Sequence, residues 1–273
     1  MYPFRRILIP TDFSTASEWA FDEAVGIATK SGAEILILHI RMTSKSDPSE
    51  LRFPADPSLY EYAERQELEK LREQLRRAGA RIATRMLVKD APEIGREICR
   101  TATDEDADLI VIATHARHHV AHLLIGSTTM SVISDPPRPV LAVRYGTHKR
   151  EGMRRIIVPV HPRQKSHAAL DLALAIARNE HSEIHLLTIC SSEERATAEA
   201  SLAAAEKNAG GIPLKKHIVE GNDIEREIIR FSTRMDADVI FLNAELQIIG
   251  DTKIEIIRHA ATPVMIVPTE GEP

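Results

Sequence analysis

Apolar residues recur along this chain in two rhythms, unbroken short runs and longer stretches in which they return every third or fourth position. The unbroken runs of the first half are Arg5 to Pro10, Glu34 to Ile40, Asp108 to Ala113 and Pro139 to Val143, with a mixed run at Arg81 to Val88. Runs of that kind mark strands buried on both faces of a parallel sheet. Between them, Ala20, Ala24, Ile27 and Ala28 give one helical face, and Thr15 with Glu18 has the spacing of a capping box. After an irregular, proline-containing stretch from Arg41 to Ser58, a charged helix is expected from Leu59 to Ala78, its buried side at Leu68, Leu71 and Leu75. Pro92 is expected in the first turn of a helix reaching Thr103, and a further helix over Thr128 to Ser134 is closed by Pro136 and Pro137. The order is βαβαβαβαβ, which calls for a doubly wound parallel sheet with a ligand crevice at the strand C-termini.

The same pattern then runs a second time. Arg5-Arg6-Ile7-Leu8-Ile9-Pro10 returns as Arg154-Arg155-Ile156-Ile157-Val158-Pro159, Ala107-Asp108-Leu109-Ile110 as Ala237-Asp238-Val239-Ile240, and Pro139-Val140 as Pro263-Val264. The chain is a tandem duplication, with expected domains at residues 1–147 and 153–270 and a polar linker between. In the second copy, strands are expected at Arg154 to Val160, Glu183 to Cys190, Leu214 to Glu220, Asp238 to Asn243 and Val264 to Pro268. Helices are expected at Ser166 to Asn179, Glu193 to Ala209, Asp223 to Arg234 and Thr252 to His259.

Composition narrows the function classes. With 43% hydrophobic and 27% charged residues and a net charge of -5, the 273-residue chain suits two globular domains and gives no general electrostatic case for nucleic acid. The two cysteines, Cys99 and Cys190, form no CxxC and read as buried reduced thiols. The N-terminal MYPFRRILIPTD lacks the apolar core of a signal peptide, and no apolar run reaches membrane-spanning length, so a cytoplasmic protein without a membrane contact is expected.

Candidate chemistry gathers between Ala107 and Arg144, where strand, polar loop, helix start and strand follow one another. Backbone N–H groups and the dipole of a helix N-terminus favour an anion there, and a phosphate is the natural guest. The first strand ends in Ile-Pro-Thr-Asp followed by Ser and an amphipathic helix; later come Ala-Asp-Leu-Ile-Val-Ile, a Thr-His loop, Leu-Leu-Ile-Gly-Ser and a closing Pro-Val-Leu-Ala-Val. Together these resemble the universal stress protein family, over nearly the whole chain and twice.

The resemblance implies an adenine-nucleotide α-hydrolase-like fold: two tandem doubly wound parallel five-stranded sheets packed as an internal pseudo-dimer, the last strands pairing, Pro139 to Val143 against Pro263 to Val267. It also implies ATP, with Mg²⁺, as a regulatory ligand bound through a Gly-x-x-Gly, nine residues, Gly-Ser/Thr motif. Carried onto this chain, the expected cofactor-binding residues are Pro10, Thr11, Asp12, Ile40, Ala113, His115, Ala116, Arg117, Gly126, Ser127, Thr128 and Thr129. Asp12 is associated with ribose, phosphates or Mg²⁺, its carboxylate suiting a hydroxyl or a hard cation; a helix cap is the plain alternative. Ile40 lies near the adenine or is simply core. Gly126-Ser127, with Thr128 and Thr129, matches the family's Gly-Ser, while Ser127 as an ordinary cap is the alternative. The motif's two glycines stand here as Ala113 and Ala116, which penalises any position needing φ above zero and weakens the expected ATP affinity. Asp90, set opposite Gly221 of the second copy, adds negative charge near the adenine pocket.

The second copy departs further. His161 stands where Asp12 does, six residues separate Asn243 from Gly250 against twelve between Ala113 and Gly126, and Asp251 replaces a hydroxyl. A structural, built-in dimer partner is expected. The spacing of His115, His118, His119 and His122 would line one side of a helix and suit Zn²⁺, but no cysteine or carboxylate is interleaved; a solvated loop with His115 and Arg117 near a phosphate is the main expectation. No nucleophile elbow, Walker loop or HExxH is present, so no catalytic residue is expected, with slow ATP hydrolysis at most. A nucleotide-free interaction protein and a His-loop metalloprotein are the competing readings.

Overall fold

The computed structural model describes residues 2–43, 61–62, 65–66, 68–70, 72–73, 82–114, 125–146, 152–161, 167–207, 209–245 and 252–269. In the first half, strands β1 (Arg6–Thr11), β2 (Glu34–Met42), β3 (Thr84–Ala91), β4 (Leu109–Ala113) and β5 (Val140–Val143) alternate with helices α1 (Thr15–Ser31), α2 (Ile94–Asp104) and α3 (Ser127–Ser134). The described positions between 61 and 73 are helical as well. In the second half come β6 (Arg155–Pro159), α4 (Ala168–Glu180), β7 (Glu183–Cys190), α5 (Arg195–Lys207), β8 (Leu214–Glu220), α6 (Ile224–Arg234), β9 (Val239–Asn243), α7 (Thr252–His259) and β10 (Val264–Val267).

Local chemistry moves several boundaries from where the pattern put them. Helix α1 is capped by Ser14, whose side chain accepts from the Ser17 N–H, so Thr15 is already inside the helix. It ends at Gly32, where φ of 72° suits glycine and the N–H reaches the Ala28 carbonyl. Pro92 lies before α2, and β3 starts three residues later than Arg81 and runs to Ala91. Ahead of α5, Ser192–Glu194 forms a separate 3₁₀ turn.

The ten strands form one sheet in the order β3-β2-β1-β4-β5-β10-β9-β6-β7-β8. Every neighbouring pair is parallel except the central one, where β5 and β10 run antiparallel with Val140 opposite Ile266, Leu141 opposite Met265 and Ala142 opposite Val264. Each half is a five-stranded parallel unit, and the seam makes them one sheet. One face carries α1, α4 and α5 over a core that runs from Ile7 and Ile37 through Leu141 and Met265 to Phe241 and Leu186. The other carries α2, α3, α6 and α7 over Leu8, Leu38, Ile110, Ile240 and Leu187. Cys190 is buried and Cys99 is only half-buried, and burial raises both thiols above their ordinary range.

Further contacts cross between the halves. The Glu180 carboxylate at the end of α4 accepts from the Tyr2 hydroxyl at 2.6 Å, the Lys30 ammonium at 3.0 Å and the Met153 N–H at 3.0 Å. Burial alone would raise the Glu180 carboxyl, but these three donors bring it below its ordinary value. Lys253 of α7 reaches the Ile133 carbonyl near the end of α3 at 2.9 Å and the Ala244 carbonyl at 3.1 Å.

Candidate functional site

A crevice opens in the first half because one ladder stops early. Strand β1 pairs with β2 along its whole length, to Thr11 opposite His39, but with β4 only at Ile7–Leu109 and Leu8–Ile110. Beyond Leu8 the two strands share no further pairs; β1 ends at Pro10 and Thr11, followed by Asp12, and β4 ends at Ala113, followed by Thr114. This is the switch point of a doubly wound sheet, where the helices after adjacent strands depart to opposite faces.

The β1 side is held rigidly. The Thr11 hydroxyl accepts from the Phe13 N–H at 3.0 Å and lies 3.2 Å from the Ser17 hydroxyl. Its carbonyl accepts from Nδ1 of buried His39 at 2.9 Å, so that nitrogen carries the proton. Asp12 Oδ1 accepts from the N–H and hydroxyl of Ser14 at 3.1 and 2.6 Å. The carboxylate therefore does not cap α1 itself; it forms an Asx turn that orients the residue that does. Phe13 sits at φ 59°, unusual for a bulky residue, with its ring 4.5 Å from His39. The pattern had not singled out Phe13 or His39, because an aromatic after Thr-Asp carries no turn signal.

On the opposite side, α3 begins at Gly126, whose N–H donates to the Thr114 carbonyl at 3.1 Å and whose φ of -63° is open to any residue. No side chain caps this helix, Ser127 is exposed and Thr128 half-buried. Thr129 is buried, and its hydroxyl donates to the Ala113 carbonyl at 2.8 Å. That hydroxyl braces α3 on β4 and is directed away from an anion role. Ala113 is an ordinary strand residue paired with Val143, and the non-glycine residues at positive φ are Phe13, Asp106, His181 and Asp236 among those described. The penalty expected for alanine at a left-handed position does not arise at 113. His115, Ala116, Arg117, His118, His119 and His122 lie outside the described residues, and among the described residues no cluster of metal-binding side chains occurs.

The outer wall is formed by β2 and β3. Ile40 is buried in the core beneath α2. Asp90 lies opposite Arg41 and pairs with its guanidinium at 2.8 Å, so its charge is compensated. The strand registers also correct its counterpart: Arg41 and Asp90 correspond to Cys190 and Glu220, and Ala91, not Asp90, corresponds to Gly221. Beside this wall the Arg100 hydrogen bond, with Lys89, holds Glu97 low despite its burial, and Lys89 also donates to Thr101.

The second half has the same splay, with β6 and β9 paired only at Ile156–Val239 and Ile157–Ile240, yet the space is used differently. Thr188 donates to the Val160 carbonyl as His39 does to Thr11. A narrow apolar cleft lies between the end of β6, β7 and α6, lined by Pro159, Val160, His161, Leu187, Ile189, Ile224 and Ile228. Asn243, at the place of Ala113, is buried and its Oδ1 accepts the Ala169 N–H, fixing the start of α4. Lys253 stands where Thr129 does and spans to the other half.

Comparison with known proteins agrees with this duplication. The universal stress protein family model matches the chain twice, at residues 3–144 and 152–268. A universal stress protein of Methanocaldococcus jannaschii is 30% identical over 160 residues, covering 52% of this chain and 95% of that protein. Two solved structures share the fold over both halves. A universal stress protein from Archaeoglobus fulgidus has a TM-score of 0.75 at 23% identity, covering 98% of this chain and 97% of that one. A functionally unknown protein from Pseudomonas aeruginosa has a TM-score of 0.69 at 17% identity, covering 98% and 93%.

Proposed function

The chain belongs to the universal stress protein family, and from that premise we propose that residues 1–147 bind ATP as a regulatory ligand while residues 153–270 serve as a built-in structural partner. The observation that carries this reading is that β1 and β4 stop pairing at Leu8, with the carboxylate of Asp12 following β1 and, held to the end of β4 by the Gly126 N–H, a helix start without a side-chain cap at Gly126-Ser127. Phosphate oxygens suit the amides and hydroxyls of exposed Ser127 and half-buried Thr128. Asp12 suits a ribose hydroxyl or the Mg²⁺ that accompanies ATP, a hard cation that takes oxygen ligands. The Arg41–Asp90 pair and the unstrained backbone at Ala113 favour the reading, since each removes an obstacle the sequence raised. In the second half, the apolar cleft and the use of Asn243 as a helix support favour a structural duty. The protein would act in the cytoplasm as a nucleotide-dependent switch without turnover, ATP favouring whichever loop arrangement it binds better.

Calorimetric titration of the metal-stripped protein with ATP and Mg²⁺, at two temperatures, tests this. One nucleotide per chain is expected, weakened about tenfold to a hundredfold by Asp12→Ala, the scale of one hydrogen bond to a charged group. Absence of binding at millimolar ATP overturns the reading and favours a nucleotide-free interaction protein, for which the use of the Thr129 hydroxyl inside the fold already speaks.

A further inference from the structure

Helix α3 begins at the proposed phosphate contacts, yet its two ends are fastened to different halves of the chain. Its 8 residues are too few for a helix to hold itself in water, so its place is set by what grips its ends. The first turn is held by its own half: the Gly126 N–H donates to the Thr114 carbonyl at 3.1 Å and the Thr129 hydroxyl to the Ala113 carbonyl at 2.8 Å. The last turn is reached from the other half, where the Lys253 ammonium of α7 donates to the Ile133 carbonyl at 2.9 Å. That carbonyl is among the last four of α3, which have no acceptor role within the helix, and a cation there also faces the negative end of the helix dipole.

The lysine is itself held. Lys253 is half-buried in the first turn of α7 and donates at 3.1 Å to the carbonyl of Ala244, the residue after β9. Ala244 corresponds to Thr114, since each gives its N–H to the last strand of its own half, at Val267 and Val143. The ammonium thus joins the end of α3 to the chain that leaves β9, and Ile133 and Ile257 beside it belong to one core. Thr129, the counterpart of Lys253, bonds within its own half, so the grip is not returned by that residue.

We propose that Lys253 is a positioning residue through which the second half fixes α3 of the first half, and with it the amides of Ser127 and Thr128. The second half is then more than a dimer-like support: it sets the geometry of the crevice in the first. The consequence for ATP rests on the nucleotide reading above; the hold on α3 does not.

Two variants of the full-length protein test this: Lys253→Met, which keeps the apolar stem and loses the ammonium, and Lys253→Arg, which keeps a charged donor. The first readout is amide hydrogen exchange without nucleotide, with β1 and β7 as internal reference. Lys253→Met is expected to speed exchange across Met130 to Ser134 about tenfold, the scale of one hydrogen bond from a charged group, while the reference strands keep the parent rates and Lys253→Arg stays close to the parent. The second readout is calorimetric titration with ATP and Mg²⁺, in which Lys253→Met is expected to weaken binding about fivefold and Lys253→Arg to restore most of it. Unchanged exchange in α3, exchange raised equally in β1 and β7, or unchanged ATP affinity in Lys253→Met would each overturn the proposal. A parent protein that binds no ATP sinks the nucleotide reading alone, since the exchange readout decides the role of Lys253 without it.

Discussion

At the scale of single residues, the second half holds a pair of imidazoles, His185 buried and His217 half-buried, unconnected with the nucleotide crevice. His185 Nδ1 lies 3.0 Å from His217 Nε2, the rings stack at 5.1 Å, and Phe231 covers both. Burial pushes both imidazoles below their ordinary range. For His185 the nearby Glu183 carboxylate opposes the shift while Lys215 and Arg155 add to it; for His217 the other imidazole, Arg234 and Lys215 deepen it. Below about pH 6.5 the unfolded chain takes up protons that the folded pair resists. The stability this pair contributes is therefore complete above that pH and declines as pH falls toward the folded values. Denaturant midpoints at pH 8, 6 and 5 are expected to fall on acidification, and less steeply in a His185→Phe/His217→Phe double variant. Equal slopes in the two proteins would assign the acid sensitivity elsewhere.

At the scale of elements, helix α3 is placed by its contact with α2, and Gly95 makes that contact close. A Cβ at 95 would stand 2.5 Å from both Cβ and Oγ of Ser131 and 3.2 Å from the Thr128 carbonyl. Alanine improves helix propensity by up to about 1 kcal/mol, but Ser131 Cβ cannot swing aside as a flexible chain end does, so the overpacking cost of about 1–3 kcal/mol decides the sign. Gly95→Ala is expected to lower stability in urea unfolding and to weaken ATP binding by displacing the start of α3; adding Ser131→Gly should restore both. Thr129 and Lys253 show how copies of one element diverge. The threonine ties α3 to its own β4, whereas the lysine ties α7 to the other half.

At the scale of the whole molecule, the two halves share one sheet and the core on each of its faces, and Glu180 joins groups of both halves. Replacing it by glutamine removes the charge from the acceptor serving Tyr2, Lys30 and Met153. Hydrogen bonds to charged groups contribute about 1.5–3 kcal/mol each, and the half-exposed Lys30 less. Glu180→Gln is expected to cost about 1–3 kcal/mol in urea unfolding. The loss should shrink on acidification through the carboxyl range, because the Glu180 carboxyl is held low and its contribution is present only while it is ionised. A midpoint equal to that of the parent protein would mean that the charge of Glu180 adds nothing to the joining of the halves.

Much of this fold was legible in the sequence because strand and helix signals are local. An unbroken run such as Leu109 to Ala113 or an apolar return at Ala20, Ala24 and Ile27 reports its element whatever lies around it, and the duplication follows from repeated runs. The family was legible on other grounds, the resemblance of motifs such as Ile-Pro-Thr-Asp and Leu-Leu-Ile-Gly-Ser. Register and partners were not, since a slip of one residue changes every neighbour of a strand. Only the tertiary structure set Asp90 against Arg41 and at the place of Glu220, put the helix cap on Ser14 instead of Thr15 or Asp12, and turned Thr129 inward to the Ala113 carbonyl. It also decided that the β1–β4 ladder ends at Leu8, and it fixed the antiparallel register of the β5–β10 pairing that the family resemblance implied. Those outcomes depend on contacts between residues far apart in the chain, which periodicity along it does not encode.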